Sequence, residues 1–427
     1  MDVITFTGAN SMCQECRVGT NAFVEAFFSA LCAAGMPEAP GQFSVTPWYQ
    51  GVSCSALANI DALIKVFDQV TERASWRAGV CASAPEIARS TRPEVCFFSA
   101  WDFHLPPGQP DVPQLIEFND NGSGSLLAGI INHIFFDNAG TIKDIESPVS
   151  IVTLGEHVAA MVEREAKGFF GGRPDGILVV LDDADSLERG KFYRELVLLQ
   201  ELLAGRGWKV AISAPSDLLW DGKHLLCRGR EVSFVVNRST DFFFKSEMLS
   251  PLRAAYLQGR TYVAPNPFTY ATRSDKRLLE YLSRPDWDGE LGIQTDEREV
   301  LSSLVPETWL LCQENIEELA RRKENLVFKP VHGFASQGVL NSAQVGRSRL
   351  KRLLRGGKGY VAQRRVPKSR LRVDGSGTTP LWTDLRVWSY RGERYLMSGR
   401  ASTCPDTVNL KPPGGWIPTF AMKRGHV

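Results

Sequence analysis

The chain has 427 residues, more than one hydrophobic core serves well and enough for two or three compact units. Its 43% hydrophobic and 23% charged residues are a folded globular balance that excludes extensive disorder, and a formal net charge of +1 gives no global field for nucleic acid. Nine scattered cysteines suit reduced thiols, the opening residues lack a signal-peptide pattern, and no apolar run approaches the ~20 residues of a membrane helix. The expectation is a cytoplasmic protein without membrane or nucleic-acid partners.

Three regions separate by pattern, at 1–147, 148–265 and 266–427. In the first, apolar spacing predicts helices over Asn21–Ala33 and 55–77. Short apolar runs at 95–100 and 114–118, joined by the turn-rich 104–113, predict two adjacent antiparallel strands. The second region alternates: a buried parallel strand at 176–183 ending in two aspartates, a helix over 188–204, then strands at 207–213 and 232–237. That order predicts a small α/β unit. The third opens at Pro265-Asn266-Pro267, with a helix over 276–282 and strands at Leu326–Pro330, 360–365, Leu381–Tyr390 and 394–400.

The chain has no Walker loop, no G-x-G-x-x-G fingerprint, no G-x-S-x-G elbow and no H-E-x-x-H. Cys13 and Cys16 form a lone C-x-x-C with no second pair at zinc spacing. Five stretches carry more chemistry. On a strand, Glu117 and Asn119 point to one face, and a carboxylate beside a carboxamide is an oxygen set that Mg²⁺ accepts. Asp102 on the neighbouring strand can add a third oxygen; a solvated polar sheet edge is the alternative. Lys329 sits inside an apolar strand, which is costly unless an anion meets it. The loop after it, with Gly333, Ser336, Gln337 and Gly338, lets backbone N–H groups approach phosphate oxygens. A snorkelling lysine before an ordinary turn remains the other reading.

Lys276 belongs to a basic cluster at a helix start that Ser274 or Asp275 can cap, a place that also favours an anion or simply a solvated charge. Gln363 ends a strand and can reach the edge of a purine, or be an ordinary strand end. Arg386 and Arg400 can share one sheet face with Asp384, either as a clamp for a transferring phosphoryl group or as a structural ion pair.

At these residues the sequence resembles the circularly permuted branch of the ATP-grasp superfamily, which includes glutathione synthetase and glutathionylspermidine synthetase. Gln114-Leu-Ile-Glu117-Phe-Asn119 resembles that branch's E-x-N magnesium motif, and Val327-Phe-Lys329-Pro with Gly333 and Gly338 resembles its lysine–proline and glycine-loop element. Ser274-Asp-Lys276 looks like the first ATP-binding lysine, and Gln363 like the hinge between the lobes. Glu117 and Asn119 precede Lys276 by more than 150 residues, which is the permuted order. The sequence departs from glutathione synthetase after the lysine, where Val331-His332-Gly333 lacks an acidic metal ligand that Asp102 or Asp384 would have to replace. Pro412-Pro-Gly-Gly-Trp416 resembles the late loop of related ligases.

The resemblance implies an α/β (α+β) fold, a permuted ATP-grasp with an inserted substrate domain. It implies a ligase that uses ATP and Mg²⁺ to join a small carboxylic acid, an amino acid or short peptide, to an amine through an acyl phosphate. Arg238, at the end of a strand in the second region, stands where the family holds a substrate carboxylate, and Asn121 lies beside the metal motif; a plain surface loop at Asn237-Arg238 is the alternative. The same nucleotide site would also serve a kinase or phosphotransferase, or an inactive ATP-grasp binding protein.

Overall fold

A computed structural model describes residues 21–36, 44–140, 142, 144–284, 291–333, 338–357, 359–371, 380–405, 408 and 410–423. Cys13, Cys16, Ser336 and Gln337 lie outside the described residues. The fold is mixed α/β. Its centre is an antiparallel sheet in the order Gly415–Ile417, Glu393–Ser402, Leu381–Tyr390, Ser99–His104, Gln114–Asn119, with Ser369–Leu371 also pairing Leu381–Tyr390.

Strand alternation gives this sheet two different faces. Trp101, Phe103, Phe118, Leu385 and Val387 enter an apolar core with helix Cys54–Glu72, whose Leu57, Ile60, Ile64 and Phe67 recur at helical spacing. The opposite face brings Asp102 across from both Glu117 and Arg386, and Asp384 across from Arg400. That polar face is where the candidate site forms.

A second sheet runs parallel in the order Val210–Ser213, Ile177–Leu181, Arg230–Asn237, Tyr262–Ala264. Ile177–Leu181 is buried along its whole length, as an uninterrupted apolar run requires in a sheet covered on both sides. Helix Ile151–Phe170 starts where Ser150 Oγ accepts the Thr153 N–H at 3.0 Å and stops at Gly171, whose φ of 79° a glycine adopts without strain. A third, three-stranded sheet orders Thr308–Leu310, Tyr360–Arg364, Leu326–Pro330, and packs Phe328 and Ala362 against Ile316, Leu319 and Leu350 of two helices.

Several element boundaries differ from those the sequence predicts. The run at 95–100 becomes a strand only from Ser99. Cys96 and Phe97 are packed into the core, and the backbone N–H and C=O of Val95 are met by the Tyr262 hydroxyl instead of a ladder. The helix expected over 55–77 is two, broken at Arg73, which is extended (φ −70°, ψ 141°) and whose guanidinium is bound by Gly292 O and Glu297. The helix expected over 188–204 is also two, Ala184–Arg189 and Tyr193–Gly205, the first ending at Gly190, which is extended (φ −72°, ψ 131°) and donates its N–H to the Ser186 carbonyl. Gly415–Ile417, expected in a loop, is a buried edge strand. No helix among the described residues is long and apolar enough to cross a membrane.

One buried carboxylate joins the parallel sheet's helices to the central sheet. Helix Ser125–Asn138 is buried on most of its surface and has no side-chain cap of its own. Glu195, from helix Tyr193–Gly205, caps it in trans by accepting from Gly124 N at 2.7 Å and Leu126 N at 3.1 Å. It also accepts from Ser125 Oγ at 3.2 Å and faces Arg238, 3.6 Å away and equally buried. Glu195→Ala is therefore expected to destabilise the protein by about 3 kcal/mol, since two helix donors and a buried guanidinium lose their acceptor. Urea unfolding measures this, with Glu195→Gln, which keeps one acceptor oxygen, falling between the two.

Candidate functional site

The site is built on strand Gln114–Asn119, one step of which is irregular. Pairing with Ser99–His104 moves from Asp102–Glu117 to Phe103–Leu115, so Ile116 is an extra residue in the ladder. A bulge of this kind takes a carbonyl out of strand pairing. Here the Ile116 carbonyl accepts from Lys329 Nζ at 2.8 Å. Lys329 comes from strand Leu326–Pro330 of the third sheet, so this bond joins two sheets distant in sequence.

Lys329 is 6% exposed and its second acceptor is Gln363 Oε1 at 2.6 Å. Burial pushes its ammonium down to about 8, with Lys276 adding to the effect and Glu117 and Asp102 opposing it. Lys276, at the other side of Glu117, donates to the Gly333 carbonyl at 2.5 Å and lies 3.1 Å from Glu117 Oε1. Two lysines and one half-buried carboxylate thus converge, with Gly333 supplying a backbone oxygen where the resemblance leads one to expect an acid. Gly338, at the far end of that loop, has a φ of +72°, a conformation that favours glycine.

Gln363 is placed differently from the expectation of a purine contact. Its oxygen is turned inward to Lys329, while its Nε2 is buried without a hydrogen-bond partner. An orphaned donor beside a buried ammonium is an arrangement that an acceptor-rich ligand completes.

The four charges across the central sheet are already paired. Arg386 Nε and Nη2 donate to the two oxygens of Asp102 at 2.6 and 2.7 Å. Arg400 binds Asp384 in the same bidentate way, 2.9 Å at each contact, and its Nη2 lies 3.0 Å from Asp102. Burial alone would raise the Asp102 pKa, but Arg386 and then Arg400 outweigh it and hold the carboxyl well below the usual carboxylate range. Asp102, expected as the third metal oxygen, has both oxygens occupied by guanidinium groups, and Asp384, its possible replacement, is occupied likewise. Both are paired because each carboxylate has an arginine across from it on the adjacent strand. Among the described residues no group of three or more His, Cys, Asp and Glu is arranged to hold a metal.

Asn119 Oδ1 accepts the backbone N–H of Asn121 at 2.9 Å, shaping the turn after the strand. Asn121 donates to the Arg238 carbonyl at 3.0 Å, and its own Oδ1 is buried without a partner. Arg238, expected to hold a substrate carboxylate, is 6% exposed and spends its donors on Ser123 Oγ, Gly122 O and the Glu195 pair. It ties the parallel sheet to the turn after Asn119. Asp182, at the C-terminal end of Ile177–Leu181, is pushed up to about 6 by burial, with Arg238 opposing.

Sequence reasoning missed two participants. Glu195 lies on a helical face with nothing to mark it. Asp120, between Asn119 and Asn121, pairs with Arg273 at 3.4 Å, and its backbone N–H donates to Ser274 Oγ at 2.9 Å. The only hint was position: Ser274, expected to cap a helix, lies two residues before Lys276, and that helix starts only at Leu278.

Lys329 carries a prediction. In ligand-free protein, a lysine-resolved NMR titration is expected to give its midpoint near 8. Glu117→Gln lowers that midpoint by removing an anion, and Lys276→Met raises it by removing a cation. Movement of either midpoint in the opposite direction would refute the cluster.

No family model matches the sequence, and no curated protein is similar to it at a significant level. Solved structures do match. A glutathione synthetase-like effector from Globodera pallida aligns over 92% of this chain and 96% of its own, with a TM-score of 0.56 and 11% identity. A gamma-glutamylcysteine synthetase-like protein from Methylobacillus flagellatus KT aligns over 83% of this chain and 84% of its own, at a TM-score of 0.47 and 10% identity. The ATP-grasp ligase PsnB, complexed with a minimal precursor, aligns over 60% of this chain and 92% of its own, at 0.30 and 12%. The effector alignment runs nearly end to end, and the chain has a glutathione synthetase-like ATP-grasp fold.

Proposed function

We propose that the chain is an ATP-dependent carboxylate–amine ligase whose nucleotide site is formed by Lys276, Lys329, the 333–338 loop and Gln363. The observation that carries this is the grouping of Lys276, 3.1 Å from Glu117, with the buried Lys329, whose charge Glu117 supports, within a glutathione synthetase-like fold. Two ammonium groups gather there beside one half-buried carboxylate, so a polyanion improves the balance of charge.

ATP fits this site. The buried, depressed Lys329 regains its charge against phosphate, and the Gln363 Nε2 donor gains an acceptor. Mg²⁺ would be held by Glu117 and Asn119, the carboxylate and carboxamide on strand Gln114–Asn119. Bound there, it would neutralise phosphate charge and orient the chain of phosphates.

The chain's own residues then act as follows. Lys276 and Lys329 fix the phosphates. Asp102 and Asp384 hold the planes of Arg386 and Arg400 in place, and those guanidinium groups stabilise charge as the phosphoryl group moves. A substrate carboxylate oxygen bonds to the γ-phosphorus as the bond to ADP breaks, giving an acyl phosphate. An amine nitrogen then bonds to the carbonyl carbon, phosphate leaves, and the amine gives up a proton. Closure of the 333–338 loop keeps water from the acyl phosphate. Asn121, with an open carbonyl oxygen beside the metal strand, takes part in substrate binding; Arg238 holds the wall behind it. An amino acid or short peptide is the acid proposed.

The test is Mg-ATP turnover over pooled amino acids and polyamines, with mass spectrometry seeking a product one water lighter than its two parts. Lys329→Met and Lys276→Met are each expected to lower turnover by on the order of a hundredfold, and Glu117→Gln to weaken its dependence on Mg²⁺. ADP release with a stable phosphorylated product would replace the ligase reading by a kinase. No turnover and no nucleotide binding would overturn it.

A further inference from the structure

Between the strand that carries Glu117 and the turn that carries Lys276 there are two charged links. One is the Lys276–Glu117 pair itself. The other lies three residues along each segment, at Arg273 and Asp120. Arg273 sits in the one-turn π-helix Tyr270–Ser274, directly before Lys276. Its Nη1 donates to Asp68 at 3.0 Å and to the Thr71 hydroxyl at 2.8 Å, both on helix Cys54–Glu72, while its Nε faces Asp120. The guanidinium also lies over the rings of Phe67 and Phe118, 5.2 and 5.6 Å from their centroids.

These contacts orient one rigid, planar group on three elements at once: helix, metal strand and lysine turn. A guanidinium does this and an ammonium does not, because its fork directs donors along fixed axes. The adjacent Ser274 Oγ accepts the Asp120 N–H, and Trp76 Nε1 donates to Thr272 O at 2.8 Å, so the turn is fastened on both sides of Arg273. The side chain is not sealed in. It forms part of the wall of a cavity of about 490 Å³ that Thr272, Glu94 and Arg391 also line and that is separate from the lysine cluster.

We propose that Arg273 is a positioning residue, which sets the spacing between Glu117 and Lys276 by locking the lysine turn to the residue that follows Asn119. This rests on the nucleotide role given above to Lys276 and Glu117. Arg273 touches neither nucleotide nor substrate; it acts through Asp120 and the turn.

The experiment titrates the full chain with a fluorescent ATP analogue in the presence of Mg²⁺. Arg273→Met is expected to weaken binding on the order of tenfold, because a displaced lysine meets phosphate poorly. The double variant Arg273→Met with Asp120→Asn removes the link without leaving a buried lone carboxylate, so it keeps the fold. If Arg273 only neutralised Asp120, the double variant would bind as the wild type does; a positioning role leaves it weak. Arg273→Ala opens onto the cavity, and added guanidinium ion is expected to restore part of the affinity. Wild-type affinity in Arg273→Met or in the double variant overturns the proposal alone. A wild-type chain that binds no analogue overturns the nucleotide reading and this inference with it.

Discussion

Across the middle of the central sheet, Asp102, Arg386, Arg400 and Asp384 neutralise one another, and the rest of the site is arranged around that network. Charges buried this deeply are costly to leave unpaired, and bidentate arginine–carboxylate geometry offsets much of that cost. Both aspartates are thereby paired with arginines. Glu117 and Asn119 stand at the edge strand, next to the third sheet with its buried lysine. The network also fixes both guanidinium planes.

The junction between sheets rests on an irregularity. A regular ladder would give Ile116 O to the neighbouring strand, and Lys329 would have no backbone acceptor to reach. The extra residue frees that oxygen. As a result the third sheet is hydrogen-bonded to strand Gln114–Asn119 through the Lys329 side chain. Burial of that ammonium, its pKa drawn down to about 8, means that folding has left a group that is more favourably charged with a ligand than without one. In that site Glu117 pairs with Lys276, and Glu117 and Asp102 together support the charge of Lys329.

Much of this was legible from residue order. Lys329 in an apolar strand announced an unmet charge, because ordinary strands do not carry one there. The antiparallel pair around Glu117 could be inferred from the turn-rich stretch at 104–113, and the parallel strand Ile177–Leu181 from its unbroken apolar run. Where apolar runs were mistaken for pairing, as at Val95, the core and a tyrosine hydroxyl had taken over the role of a sheet. The broken helices at Arg73 and Gly190 failed for another reason. Periodicity continues across both positions; at Arg73 a distant carbonyl and carboxylate bind the side chain of an extended residue, and at Gly190 the backbone itself turns extended.

The sequence by itself determined which faces were polar and in what order the lysines, the carboxylate and the carboxamide come along the chain. Those follow from local periodicity and residue chemistry. Partnership was decided only in the tertiary structure: Asp102 with Arg386 and Arg400, Gln363 with Lys329, Arg238 with Glu195 and the turn at Gly122 and Ser123. A strand's period states the side to which a residue points. It carries no record of what the neighbouring strand, often hundreds of residues away, will place opposite, and electrostatic pairing is settled by that neighbour.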